Sequence, residues 1–364
     1  MDHSFSLKEQ TGQMIVAGFD GVSLNPQIEG LVRDCRIGGV ILFGRNYEDP
    51  AQLHRLVRDL QDLALSHPPH LPLFVSVDQE GGRVSRLKTP FADFPPMCCL
   101  GEARSEELAY RFGKALAREL TAVGINMDYA PVLDVHTNPQ NPIIGDRALS
   151  VHPEWVARLG SAIIRAFKED GIVPVGKHFP GHGDTALDSH LELPHVDRSA
   201  AELEATELYP FARTVRDGLE VVMTAHVVYR AWDENHPATF SKKILQGILR
   251  EKLGFDGVIV SDDLEMKAIE DHFPFESLAS LGIGAGIDLF LICNNPGKVR
   301  PFQEQMVRAL ENGDLDAGRA SQSVQRIVKL KKRLAPAPSE APDFQSWAQS
   351  HRKLADEMRA FLKR

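Results

Sequence analysis

Eight short apolar runs, most rich in Val and Ile, recur along the chain at 13–19, 39–43, 73–78, 126–130, 172–177, 220–224, 257–261 and 288–292. Most are almost continuously hydrophobic and do not alternate with polar residues. Strands covered on both faces read this way, and such strands belong to parallel sheets flanked by helices. Segments with helical spacing separate the runs, at 50–66, 105–123, 153–170, 200–217, 241–252, 276–281, 299–311 and 316–334. Pro153 near the start of one helix and Ser199 and Ser241 at the start of two others suit helix N-termini.

Eight strand–helix pairs are the count for a closed (β/α)8 TIM barrel, here with extended loops. A doubly wound open sheet would need fewer strands or a second domain. The first strand is also followed by AGFDGVSLNP and not by a GxGxxG dinucleotide loop. The expected organisation is a catalytic barrel over residues 1–334. A Pro- and Ala-rich linker at 335–343 and a last helix at 344–362 follow, packed on or near the barrel.

Bulk properties narrow the partners. The net charge of -9, without long single-sign blocks, disfavours nucleic acid and anionic membranes, both of which call for a basic surface. No run approaches the ~18 apolar residues of a membrane span. The N-terminal stretch has no basic region of the secretory kind. Cys35, Cys98, Cys99 and Cys293 have neither zinc-type spacing nor a sensible disulfide arrangement. A cytoplasmic monomer acting on a small molecule is expected, with no cofactor and no metal.

A barrel places its chemistry at the C-terminal ends of its strands. Those ends are polar: Asp78 after VSV, Asp128 in NMDYAP, Lys177 and His178 after VPVG, His226 after VMTA, and Asp262 with Asp263 after VIVS. Asp262, first past its strand, points into the mouth as a working carboxylate, while Asp263 or Ser261 suits a helix cap. Asp78 can accept two hydrogen bonds, as from adjacent hydroxyls. Gly81–Gly82 then turns the chain toward Arg83 and Arg86. An Asp–Arg ion pair holding that loop is the plainer role for Arg83. Arg147 sits in the IIGDRALS loop, whose composition suits binding loops and inert ones alike.

The densest polar stretch is KHFPGHGDTALDSHLELP at 177–194. Its glycines suggest a loop that can move. Asp188 and His190 lie two residues apart, so in an extended segment they share a face. A carboxylate beside an imidazole fixes its tautomer and raises its basicity, as general acid/base catalysis requires. A metal site using His178, His182 and His190 competes with this reading. Against it, there is no HExxH motif, and the nearby lysine would repel a dication. A sugar-binding barrel without turnover is a third possibility.

Together VDQEGGRVSRL, GDRALS, KHFPGHGDTALDSHLELP and VIVSDDLEM, in this order, resemble glycoside hydrolase family 3 in its single-domain β-N-acetylhexosaminidase branch. The likeness covers residues 10–330. It implies a retaining mechanism with Asp262 as nucleophile, His190 as acid/base and Asp188 orienting it. It also implies that Asp78, Arg86, Arg147, Lys177 and His178 bind a terminal N-acetylglucosamine. By the same likeness the substrate is a peptidoglycan fragment, N-acetylglucosaminyl-1,6-anhydro-N-acetylmuramic acid with or without peptide, and the role is cell-wall recycling. A neutral imidazole repels an anion less than a carboxylate does, so phosphorolysis by the same residues stands as the alternative to hydrolysis.

Overall fold

Strands that are apolar on both faces must satisfy every backbone group without exposing an edge, and closing the sheet achieves this. The computed structural model of the protein describes residues 5–185, 192–340 and 343–362. Eight parallel strands close into a barrel: β1 Ile15–Ala17, β2 Gly39–Leu42, β3 Phe74–Val77, β4 Met127–Asp128, β5 Val173–Phe179, β6 Val221–Thr224, β7 Val258–Asp263 and β8 Leu289–Ile292. Each strand pairs with its sequence neighbours. The ring closes where Ile15 stands opposite Phe290 and Val16 opposite Gly39. The single (β/α)8 barrel expected from the alternation is therefore the fold.

All eight strands form close to their expected places. The fourth is cut to two residues for a local reason. The Asn126 side chain takes over the ladder positions before it, accepting from Val75 N at 2.9 Å and donating to Leu73 O at 3.0 Å. Pro131 beyond it has no N–H to offer.

Helices Pro50–Ser66 and Val299–Glu311 have the bounds that the spacing predicts. Ser199 caps its helix in a full capping box with Glu202. The expected 200–217 helix breaks into Ala200–Ala205 and Leu208–Arg216. At the break Thr206 Oγ1 donates back to Glu202 O at 2.7 Å, and Glu207 is fully buried against Arg198 and Thr137. Four α-helices among the described residues lie outside the sequence reading: Leu7–Gln13, Pro26–Arg33, Cys98–Ala103 and the single turn Lys267–Glu270. The second, the crossover from β1 to β2, carries a plain signal, Asn25 as cap and Pro26 at the first position. At 8 residues it was too short to stand out as a periodic segment.

Below the barrel, Lys331 is buried, donates to Gln13 Oε1 at 2.7 Å and lies 5.1 Å from the Phe74 ring centroid. Burial pushes its ammonium down to about 7. The last helix, Gln345–Arg359, packs on Cys98–Ala103 and Glu106–Ala122. There His351 Nδ1 meets the buried Glu119 carboxylate at 2.8 Å. No helix among the described residues is long and apolar enough to cross a membrane.

Candidate active site

The C-terminal strand ends surround a cavity of about 290 Å³. Asp78, Arg86, Arg147, Lys177, His178 and Asp262 all line it. Thus six of the eight residues to which the resemblance gives catalytic or binding roles meet in one place, although they come from segments up to 184 positions apart. The other two, Asp188 and His190, lie outside the described residues. Phe43, Met223 and Leu291 supply apolar wall between the polar groups, as ligand pockets generally require.

The polar side is a buried charge network. Lys177, almost fully buried, donates to Asp78 at 2.7 Å and to Glu80 at 2.6 Å. Glu80 also receives a two-pronged pair from Arg147, Nε and Nη2 each at 2.8 Å. Burial alone would raise the Glu80 carboxyl, but Arg147 and Lys177 hold it far below the usual carboxylate range. Burial would likewise lower the Lys177 ammonium, and the two carboxylates raise it instead. Glu80, Lys177 and Arg147 are thus held in their ionised forms. Arg86 differs: its Nε is buried and has no hydrogen-bond partner among the described residues. A donor left unpaired beside a cavity is available to a ligand.

Histidines occupy the β5 end. His178 Nδ1 pairs with Asp134 at 2.7 Å, and the other Asp134 oxygen accepts the backbone amides of His178 and His182 at 3.1 and 2.6 Å. This fixes the His178 ring, which lines the cavity. His182 is fully enclosed, and burial and then His178 depress its imidazole to about 4. It is therefore neutral at physiological pH. Among the described residues no group of three or more His, Cys, Asp or Glu is arranged to hold a metal ion.

Asp262 is the penultimate residue of β7, and its Oδ1 accepts the amide of Asp263 at 2.8 Å. Asp263 does not cap the following helix, which starts at Lys267. It instead ties loops together, accepting from Glu265 N, Cys293 N and Asn294 Nδ2 at 3.1, 3.2 and 3.0 Å. Burial pushes its carboxyl up to about 7 against those donors. Ser261 turns to the β8 backbone, accepting Leu291 N at 3.1 Å. His226 braces the same corner through Asp263 O at 3.0 Å. Asp128 is fully buried outside the cavity lining, with burial holding its carboxyl well above the normal range.

Arg83 pairs not with Asp78, which binds Lys177, but with Asp146 at 3.3 Å, and it also donates to Ile143 O, tying its loop to the one that carries Arg147. The glycines of GHGD are needed where they stand for a steric reason. A Cβ on Gly183 would lie 1.6 Å from Val135 O, and one on Gly181, at φ +137°, 2.6 Å from Glu207 Cβ. They are close-approach sites that anchor the base of the loop.

Sequence reasoning missed Glu80 and Asp134, the two anions that hold the rest. Glu80 had a signal: it follows Asp78 by two positions, so in an extended segment both face the same way. Asp134 had a weaker one, a lone acid within the apolar PVLDV.

Comparison with known proteins agrees with this geometry. A family model described as "Glycosyl hydrolase family 3 N terminal domain" matches residues 6–330. A beta-hexosaminidase of Nitrosomonas eutropha is 42% identical over 303 residues, covering 81% of this chain and 85% of that protein. A family 3 beta-N-acetylglucosaminidase from Paenibacillus sp. superposes with a TM-score of 0.94 at 37% identity, over 98% of this chain and 69% of that one. NagZ from Neisseria gonorrhoeae, solved with N-trifluoroacetyl-D-glucosamine, gives a TM-score of 0.79 at 33% identity, over 96% and 97%.

Proposed function

The chain belongs to glycosyl hydrolase family 3, and from that premise we propose that it is an exo-acting, retaining β-N-acetylglucosaminidase. The observation that carries the reading is the cavity itself: a candidate nucleophile, Asp262, shares about 290 Å³ with the preset polar wall of Asp78, Lys177, Arg147, Arg86 and His178. That volume, small for a ligand pocket, suits one terminal sugar better than a threaded chain. The N-acetylglucosamine assignment draws on the relatives' names and on the glucosamine derivative held by the Neisseria protein.

In the proposed reaction the Asp262 carboxylate attacks the anomeric carbon while the glycosidic C–O bond breaks, leaving a covalent glycosyl-enzyme. His190 donates its proton to the leaving oxygen, with Asp188 stabilising the imidazolium. Water then attacks the same carbon, His190 takes the water proton, and Asp262 departs. Asp78 accepts sugar hydroxyls, Arg86 contributes its unpaired donor, and Arg147, Lys177 and His178 complete the grip. Residues 1–334 act as the catalytic unit, and 335–364 as a linker and docked helix.

The physiological substrate we assign is N-acetylglucosaminyl-1,6-anhydro-N-acetylmuramic acid, with or without peptide, processed by a monomer during cell-wall recycling in the cytoplasm. Four free cysteines agree with a reducing compartment. Turnover of nitrophenyl N-acetyl-β-glucosaminide beside the matching glucoside and galactosaminide tests the sugar, and proton NMR of the first-formed anomer tests retention. Preference for the glucoside, or an α-anomer as first product, would overturn the reading.

A further inference from the structure

Asn141 has a buried side chain, and all of its polar valences are used between two functional loops. Its Oδ1 accepts the amides of Ile143 and Ile144 at 2.9 and 2.8 Å, forming the turn that leads to Arg147. Its Nδ2 donates to His182 O at 2.8 Å, Gly183 O at 3.1 Å and Thr185 Oγ1 at 3.1 Å. Those three residues lie just before the segment that carries Asp188 and His190. Neighbours repeat the attachment: Asn138 Nδ2 donates to Thr185 O at 3.2 Å, and Thr137 Oγ1 donates to Asp184 at 3.3 Å. Gly183, pressed against Val135 O, allows the two strands of loop to lie this close.

We infer that Asn141 is a positioning residue, holding the root of the acid/base loop in register with the loop that presents Arg147. The inference rests on the proposed roles of His190 and Asp188 in proton transfer. A proton donor must reach the leaving oxygen within hydrogen-bond distance, and a displacement of about 1 Å at its anchor can cost on the order of a hundredfold in rate. One amide serves both loops because an asparagine can accept from one side and donate to the other.

Asn141→Asp separates the two halves. The carboxylate still accepts from Ile143 and Ile144 but cannot donate to the two carbonyls at the loop root. Measured with intact protein, this variant should keep KM within about threefold for an activated nitrophenyl glycoside and an unactivated disaccharide. Its kcat should fall about tenfold more on the disaccharide, which needs protonation of its leaving group. His190→Ala serves as the reference. If His190→Ala is selective and Asn141→Asp is not, or if Asn141→Asp leaves both rates unchanged, the inference fails. If His190→Ala itself hits both substrates equally, it is the acid/base assignment that fails. Circular dichroism and a thermal melt establish folding. Should Asn141→Asp not fold, Thr185→Val, which removes one acceptor at the same root, is read by the same ratio.

Discussion

Lys177 Nζ lies 2.6 Å from Glu80 Oε1, with both side chains almost completely buried. This contact, together with the two-pronged Arg147–Glu80 pair, sets the charge balance of the polar side of the cavity. Two cations face two carboxylates, Glu80 and Asp78. Removing one member of such a group leaves an uncompensated buried charge, at a cost of about 3–5 kcal/mol.

Glu80→Gln should therefore damage binding more than chemistry. Arg147 and Lys177 would lose their common anchor, and KM for nitrophenyl N-acetyl-β-glucosaminide should rise tenfold or more, with a lower Tm. Steady-state kinetics and a thermal melt check this. An unchanged KM would mean that Asp78 alone positions Lys177.

Asp262→Ala and His190→Ala should differ in kind. Without the nucleophile, turnover of every substrate should drop by roughly a thousandfold or more. Without the acid, loss should be concentrated on poor leaving groups, about 10²–10⁴-fold there and much less on nitrophenyl glycosides. Comparing kcat on the two substrate types reads both variants, and equal loss in His190→Ala counts against its role as the acid.

With His190 as the proposed acid/base, phosphate can replace water as acceptor, because a neutral imidazole repels an incoming anion less than a carboxylate would. Incubation in phosphate buffer should yield N-acetylglucosamine 1-phosphate beside free sugar, its share growing with phosphate concentration. Free sugar as the sole product at every concentration would restrict the enzyme to hydrolysis.

Lys331 predicts a pH-dependent stability unrelated to the site. Burial lowers its ammonium from 10.5 to about 7. Between those values the unfolded chain binds a proton that the folded chain releases, so stability rises with pH across that window. Below about pH 7 the penalty is fully present. Lys331→Met removes it, so the Tm gain relative to wild type should be larger at pH 7 than at pH 10. The lost contact to Gln13 subtracts a similar amount at both. Equal shifts at the two pH values would show that the lysine stays charged in the folded protein, held by Phe74 and Gln13.

Much of this molecule was legible before any coordinates. Period and composition placed all eight strands, because a strand buried on both faces must be apolar throughout. Asp78, Lys177, His178 and Asp262 stood out because a barrel carries its chemistry at the C-terminal ends of its strands, although Asp128 at another such end is buried away from the cavity. The short crossover helix Pro26–Arg33 and the break at Thr206–Glu207 did not stand out. The first is too brief to show a period. The second depends on Glu207 finding Arg198 and Thr137 across space.

By itself, then, the sequence determined the barrel and the identity of the groups in its mouth. Local pattern records which residues are apolar, and strand ends record where polar chemistry can sit. Only tertiary structure decided how those groups are held. Glu80 became the shared anchor of Lys177 and Arg147 because closure brings β3 and β5 within reach of the loop after β4. The GHGD glycines proved to be points of close packing because Val135 and Glu207 press against them. Charge pairing and backbone contact depend on distance in space, and residues far apart in a chain carry no local sign of it.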